Sequence, residues 1–338
     1  MNRQRASAVG AERCFGRRHR IFLPEYNVSP LLVPIEVSTL LIRKYWLVLL
    51  LLLCSHLLFA ADPGKADNPN EIAFMTDFGL LDDSVAICKQ VMYNIDPTVR
   101  VLDISHAITP FSILDGARFL DGMSGYVPKG TVFVVVIDPG VGTARKAIVA
   151  KSKKGNYYVL PDNGLLTYVQ NNDGIEAVRV ITNRKWMIEN AVSSTFHGRD
   201  IFSPVGAHLA RGEDWTAVGP EMLVNQLVHL KLTQSSIVNG VLRAVVLGTD
   251  GPFGNLITNV SREEFAKLGY KYGDTVHLAL GENELDIPFV KTFGDVAIGS
   301  PLAFIDSRGR LSFSLNQTNF AKTYNINPPV DFAIPEKK

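Results

Sequence analysis

From residue 71 onward, segments typical of buried strands alternate with segments typical of amphipathic helices. EIAFMTDF has the pattern of a strand, DDSVAICKQVMYNI has apolar residues at helical spacing, and VRVLDIS is strand-like again. SILDGARFLDGMSGYV predicts a second helix, and TVFVVVID is an apolar run that predicts a strand buried on both faces. This alternation predicts an α/β fold with a mostly parallel sheet.

After about residue 232 the pattern changes to short strands separated by Gly, Asp and Asn turns. GVLRAVVLGTD, NLITNV, DTVHLAL and RLSFSLNQ are strands of this kind, and SREEFAKLG is the one segment with a helical pattern. We therefore predict an α/β N-terminal domain over 71–230 and an all-β, barrel-like C-terminal domain over 237–325.

The N-terminal 62 residues have no pattern that could build a core. Residues 1–43 are Arg-rich and aperiodic, and RKYWLVLLLLLCSHLLFAADP then has the layout of a secretory signal peptide. Its apolar run is shorter than the roughly 20 residues that a spanning helix needs. We predict that 1–62 is a leader and that the protein is exported, periplasmic or secreted, if the segment is cleaved. A retained membrane anchor and a misassigned translation start are the alternatives.

Charge and cysteine content narrow the classes of function. The net charge is +1, but residues 61–338 hold 26 Lys and Arg against 30 Asp and Glu, so they offer no basic surface for nucleic acid. Beyond the leader Cys88 is the single cysteine, which excludes an intramolecular disulfide and a cysteine-based zinc cluster there.

Polar residues follow several of the predicted strands. Thr76–Asp77, Asp103, Asp138 and Asp162–Asn163 all fall at predicted carboxyl ends. In α/β sheets ligands bind beyond these ends. This position favours a functional role for at least some of these carboxylates.

The stretch VIDPGVGTARKAIV places Asp138 at the tip of the buried strand and Arg145 just past the following turn. In STFHGRDIFSP, His197 stands between Phe and Gly at the start of a helix, where its ring could face a cleft. The simpler interpretations are that Asp138 caps the turn, Arg145 is solvated and Asp200 caps the helix.

Other familiar motifs are missing from the sequence. DPGVG lacks the Lys-Ser/Thr of a phosphate-binding loop, and there is no Gly-x-Ser-x-Gly nucleophile motif. DISH, with Asp103 and His106, could be half of a metal site, although such a pair more often makes turn hydrogen bonds. We predict no metal site and no cofactor.

Seven motifs in order carry a resemblance to a known family. IAFMTDFGLLDDSVAICKQVMYNIDP, VLDISHAITPF, VIDPGVGTARKAI, PDNGLLT, STFHGRDIFSP, DGPFGNLITN and DSRGRLSFSLNQ together resemble the S-adenosyl-L-methionine (SAM) hydroxide adenosyltransferases. These are relatives of the SAM-dependent fluorinase and chlorinase. The resemblance extends from about residue 71 to about 325 and implies a homotrimer. In such a trimer SAM, the substrate, binds between one subunit's N-terminal domain and its neighbour's C-terminal domain.

The resemblance also implies roles for individual residues. Asp77 matches the carboxylate that holds both ribose hydroxyls, Asn255 matches an adenine-edge contact, and Phe253 and Phe293 match the aromatic walls of the base. The residues that match contacts to the methionine ammonium and carboxylate are Asp82, Ser84 and Asp250 for the first and Ser307 and Arg308 for the second.

Asp138, Arg145 and His197 match the triad of the water-using branch. The thioether leaving group of SAM needs no acid, so the site has to orient and activate a water molecule. An imidazole or a carboxylate can accept its proton, and a guanidinium favours hydroxide over water. The predicted reaction is hydrolysis of SAM to adenosine and L-methionine. A SAM-dependent halogenase and a non-catalytic SAM- or adenosine-binding protein remain the alternatives.

Overall fold

The computed structural model describes residues 70–189 and 191–338. The predicted leader over 1–62 lies outside this part of the chain, and so does its cleavage site. Within the described part no helix combines the length and the apolar character needed to span a membrane.

The alternating region forms a seven-stranded sheet in the order β2-β1-β3-β5-β4-β6-β7. Neighbours among β2, β1, β3 and β5 pair in parallel, whereas β4 pairs antiparallel with β5 and β6, and β7 antiparallel with β6. Five strands (β1, β2, β3, β5 and β6) therefore run in one direction, which confirms a mostly parallel sheet. The strands are Glu71–Thr76 (β1), Arg100–Ser105 (β2), Val132–Val136 (β3), Ala147–Ser152 (β4), Tyr157–Pro161 (β5), Ile175–Val180 (β6) and Glu221–Met222 (β7).

Helices cover both faces of this sheet. On one face α1 (Ser84–Ile95) and α4 (Ser203–Ala210) pack on a core that includes Val134, and on the other α2 (Ile113–Ser124) packs on a core that includes Val135. A short helix, α3 (Thr167–Asn172), joins the second face. Because β3 is covered on both sides, its sequence is continuously apolar rather than alternating.

The C-terminal region forms a second, antiparallel sheet in the order β12-β11-β15-β9-β10-β14-β13, and β8 pairs with β9. A bridge between Phe289 and Ala303 joins the two edges, so the sheet is nearly closed into a barrel, as predicted. Two short helices, α5 (Arg262–Ala266) and α6 (Phe320–Thr323), pack on its strands. The strands are Ser236–Val238 (β8), Val241–Asp250 (β9), Asn255–Ser261 (β10), Thr275–Leu280 (β11), Asn283–Pro288 (β12), Pro301–Ile305 (β13), Arg310–Leu315 (β14) and Val330–Pro335 (β15).

The two sheets meet where α2 approaches β9. Arg118 of α2 forms an ion pair with Asp115 at 2.7 Å, and its Nη2 donates to the carbonyl of Thr249 at 3.4 Å. The second sheet continues to Pro335, and the exact domain bounds 71–230 and 237–325 stay a prediction.

Candidate active site

Asp138 and Arg145 are brought together by the turn that follows β3. Val141 N–H donates to the Asp138 carbonyl at 3.1 Å, and Thr143 N–H donates to the Gly140 carbonyl at 3.1 Å. Gly142 has φ +75°, a conformation that most side chains disfavour. The chain therefore reverses tightly and places Arg145 beside the end of β3, just before β4 begins.

The Arg145 guanidinium is held by the Asp138 carboxylate at both oxygens. Its Nε lies 2.9 Å from Oδ1 and 3.0 Å from Oδ2, and its Nη2 also donates to Oδ2. The Asp138 side chain is 5% exposed and that of Arg145 is 10% exposed. This is a largely desolvated, two-point ion pair, so the simpler interpretation of Arg145 as a solvated loop charge is wrong.

His197 joins the pair from a distant part of the chain. Its Nδ1 lies 2.7 Å from Nη2 of Arg145, across 52 residues of sequence. It immediately precedes a π-helical segment, Gly198–Phe202, which continues into α4. Asp200, fully buried in that segment, accepts from Ser193 N–H at 2.7 Å and pairs with Arg199 at 2.5 Å. Asp200 therefore connects the loop around Ser193 to the helical segment that follows His197, and this contact positions His197.

Burial and then the neighbouring Arg145 guanidinium lower the pKa of His197 below its usual 6.5, while Asp138 partly opposes them. His197 is therefore neutral at neutral pH. A guanidinium can only donate hydrogen bonds, so Nδ1 must be the acceptor of the Arg145 contact and the ring proton lies on Nε2.

A cavity of about 250 Å³ opens beside this cluster. Asp138 and His197 line it together with Asp77, whose Oδ2 accepts from Phe111 N–H at 2.9 Å. Phe111 is 75% exposed and has φ +66°, so its ring stands out at the mouth of the cavity. The sequence analysis missed the aromatic lining residues, although each of them lies next to or within a quoted motif: Phe78, Phe111 and Phe196.

A second cavity, of about 300 Å³, lies between α2 and the C-terminal sheet. It shares no lining residue with the first cavity. Arg118 and Phe119 of α2, which the sequence analysis did not single out, also line it. The predicted substrate residues found in this second cavity are Asp250, Asn255, Phe293, Ser307 and Arg308.

Three predicted substrate residues line neither cavity. Asp82 and Ser84 lie where α1 begins, and Asp82 Oδ1 accepts from Ser84 N–H at 3.0 Å. Phe253 ends a single 3₁₀ turn between β9 and β10 and is 67% exposed. Within one chain the predicted substrate residues are thus divided among four places: the two cavities, the start of α1 and the turn between β9 and β10.

Asp103 and His106, considered above as half of a metal site, are engaged within the protein. Asp103 lies inside β2 rather than at its end, and its Oδ1 is 3.2 Å from Nε2 of His106. Nδ1 of His106 is 2.9 Å from Oγ1 of Thr76. In the described parts of the chain no group of three or more His, Cys, Asp or Glu side chains is arranged to hold a metal ion.

The regions that form the two sheets match the two domains of one protein family. Residues 72–219 match the SAM hydroxide adenosyltransferase N-terminal domain, and residues 244–331 match the C-terminal domain of the same family. The chain belongs to the SAM hydroxide adenosyltransferase family.

Relatives of two named activities resemble this chain to a similar degree. The (R)-S-adenosyl-L-methionine hydrolase of Salinispora tropica is 37% identical over 76% of this chain and 94% of its own length. The fluorinase of Actinoplanes sp. is 35% identical over 75% of this chain and 94% of its own length. A crystal structure of an uncharacterised conserved protein from Thermotoga maritima is 37% identical with a TM-score of 0.74, covering 78% of this chain and 99% of that one.

Proposed function

We propose that this protein hydrolyses SAM to adenosine and L-methionine by in-line attack of water at C5′. The observation that carries the proposal is the cluster of Asp138, Arg145 and His197, which lies beside the cavity that also contains Asp77. Asp77, Asp138 and His197 line one cavity, so a ribose held by Asp77 would lie next to the cluster. Both hydrolases and fluorinases are among the relatives, so the proposal depends on this cluster and not on overall similarity.

The geometry supports a division of roles within the cluster. His197 is neutral with Nδ1 occupied by Arg145, so its ring has no free lone pair for a proton and its Nε2–H serves as a donor that orients the water. Asp138 is the acceptor for the water's proton. Arg145, with a fixed positive charge, stabilises the negative charge that develops on the attacking oxygen.

The proposed reaction needs only SAM, water and the side chains of the cluster. The water oxygen forms a bond to C5′ while the C5′–S bond breaks, and the bonding pair goes to sulfur, which turns the sulfonium into the neutral thioether of methionine. The water's proton passes to Asp138 and from there to solvent. Holding the water in line with C5′ and sulfur supplies much of the rate.

We also propose that the protein is a homotrimer with sites shared between subunits. The support is that Asp77 lines one cavity, whereas five of the other predicted substrate residues line a second cavity that shares no lining residue with the first. A neighbouring subunit could bring its second cavity against the first and complete one substrate site. Export through a cleaved leader over 1–62 remains a proposal that rests on the sequence alone.

An isotope experiment tests the proposed reaction. In ¹⁸O-labelled water we expect the label in the 5′-hydroxyl of adenosine and none in methionine, measured by mass spectrometry. With excess fluoride or chloride we expect no 5′-halo-5′-deoxyadenosine. A halonucleoside formed faster than adenosine would support the halogenase alternative, and SAM that binds but is not turned over would support the non-catalytic one.

A further inference from the structure

Gly198 directly follows His197 and is buried against the ring of Phe78. A Cβ placed on Gly198 would lie 2.9 Å from Cζ and 3.2 Å from Cε2 of Phe78. Non-bonded carbons are normally about 3.5–4.0 Å apart. The ring of Phe78 therefore occupies the space that any side chain at position 198 would need.

This close contact, rather than the backbone, is the reason for glycine at position 198. The residue begins a right-handed helical segment, and the preceding His197 has φ −62° and ψ −23°. Gly198 is not one of the glycines with positive φ in the described residues. Alanine would fit the backbone here, and the ring that a Cβ would approach most closely is that of Phe78, with Cε2 of Phe196 at 3.5 Å.

Phe78 is held firmly in its position. Its N–H donates to Oγ1 of Thr76 at 3.2 Å, and the N–H of the next residue, Gly79, donates to the His106 carbonyl at 2.7 Å. Its ring packs edge to face against Phe196 with centroids 5.8 Å apart. The backbone at Phe78 is thus anchored, and the ring is half-buried and packed against the core and Phe196.

Phe78 and Gly198 line the same cavity as Asp138 and His197. We propose that the ring of Phe78 sets the size of the nucleophile, so that water fits beside Asp138 and His197 and an oxygen nucleophile bearing a carbon atom does not. This inference rests on the proposed function and adds a residue that determines specificity.

A test of this inference has to distinguish the effect of the nucleophile's size from the effect of its charge. Asp77, Asp138 and Arg145 together with neutral His197 leave the cavity with one net negative charge, which disfavours anions whatever their size. Methanol is a neutral probe larger than water by one carbon atom. Its oxygen would form a bond to C5′ as the C5′–S bond breaks and its proton is lost, giving 5′-O-methyladenosine and methionine.

The experiment compares the wild-type protein with the Phe78→Leu and Phe78→Ala variants at a fixed methanol concentration. The measurement is the ratio of 5′-O-methyladenosine to adenosine, determined by mass spectrometry. We expect this ratio to rise from wild type to Phe78→Leu to Phe78→Ala, by about tenfold or more overall, because a hydrophobic pocket discriminates one methylene to roughly that extent. A ratio that is unchanged in variants that still form adenosine would overturn the inference.

Two further variants serve as controls. Phe111→Leu shortens another ring of the same cavity that is not among the contacts of Gly198, so it should raise KM for SAM and leave the product ratio unchanged. Gly198→Ala should slow hydrolysis about tenfold in the wild-type background and much less in the Phe78→Leu background, since residues in contact are coupled. An equal rise of the ratio in Phe111→Leu, or equal losses in both backgrounds, would contradict a specific role for Phe78. Wild-type protein that forms no adenosine from SAM would instead refute the proposed function.

Discussion

Arg145 and Asp138 form a two-point ion pair across the turn that follows β3, an interior strand of the first sheet. The Arg145 Nε is 2.9 and 3.0 Å from the two carboxylate oxygens, and its Nη2 reaches His197 at 2.7 Å. The guanidinium therefore links a carboxylate and an imidazole that come from separate parts of the chain. The stabilisation of hydroxide proposed above depends on this orientation.

Loss of the guanidinium should slow catalysis and leave SAM binding largely intact. We expect Arg145→Ala to lower kcat by about 10²–10³-fold, the usual cost of removing an electrostatic stabiliser, with Kd for SAM within a few-fold. Arg145→Lys should have a kcat little higher than that of Arg145→Ala, because one ammonium group cannot contact Asp138 and His197 at the same time. Arg100→Ala is the control, since Arg100 is 67% exposed and pairs with Glu71. A Kd that rises in parallel with the loss of kcat would mean that Arg145 binds SAM.

The pH dependence of activity should follow the lowered pKa of His197. Neutral His197 accepts a hydrogen bond from Arg145, and its protonation would place two cations against each other. Because the pKa lies below 6.5, kcat/KM should stay constant as the pH falls to 6.5 and decline only below it. His197→Asn, which keeps an acceptor near the Nδ1 position but does not titrate, should be slower and lack this decline. An acid limb above 6.5, or one unchanged in His197→Asn, would exclude His197 as its source.

Asp77 should contribute mainly to substrate affinity. We expect Asp77→Ala to weaken SAM binding by about 1.5–3 kcal/mol, the range for hydrogen bonds to a charged group, as measured by isothermal titration calorimetry. Part of the effect will come from Phe111, whose N–H loses its acceptor at 2.9 Å. Asp286→Ala is a suitable control because its side chain is 72% exposed. An unchanged Kd would rule out Asp77 as the ribose ligand.

Shared sites can be tested by mixing inactive variants. Asp138→Asn alters the first cavity and Asn255→Ala the second, so each alone should have little activity. If each site combines the two cavities from neighbouring subunits, mixed trimers formed by subunit exchange should contain some intact sites and recover part of the activity. Sedimentation should give the mass of a trimer. A fully active monomer, or no recovery in mixed assemblies, would contradict the shared site.

His106 should make the stability of the fold sensitive to acid. It is buried, and burial lowers its pKa below 6.5, with Asp103 opposing this. The unfolded chain therefore binds the proton more readily than the folded chain. The contribution of neutral His106 to the free energy of unfolding is complete above about pH 6.5 and is lost as the pH falls toward the pKa of the folded state. His106→Gln should lower the urea midpoint at neutral pH and weaken its change between about pH 5 and 6.5. A slope identical to that of the wild type would show that His106 does not titrate in this range.

Strands β1 to β3, helices α1, α2 and α5, and several strands of the second sheet could be predicted because local patterns determine them, whereas α6 was missed. The apolar run of β3 and the helical spacing of α1 follow from which faces these elements bury. The sequence pattern did not predict the antiparallel strands β4, β6 and β7. β4 and β5 form a hairpin across residues 153–156, and an apolar run such as that of β4 does not show in which direction the strand pairs. Asp103 was placed at a strand end although it lies inside β2, since strand ends are set by pairing with β1.

The sequence by itself determined the succession of elements, the change from α/β to all-β, and the motifs that contain the candidate catalytic residues. Only the tertiary structure decided that Arg145 joins Asp138 to His197, that Phe78 fills the space over Gly198, and that Asp77 lies in a different cavity from most of the other predicted substrate residues. The physical reason is that periodicity records whether a side chain is buried, whereas contacts between distant residues depend on how the sheets and loops pack.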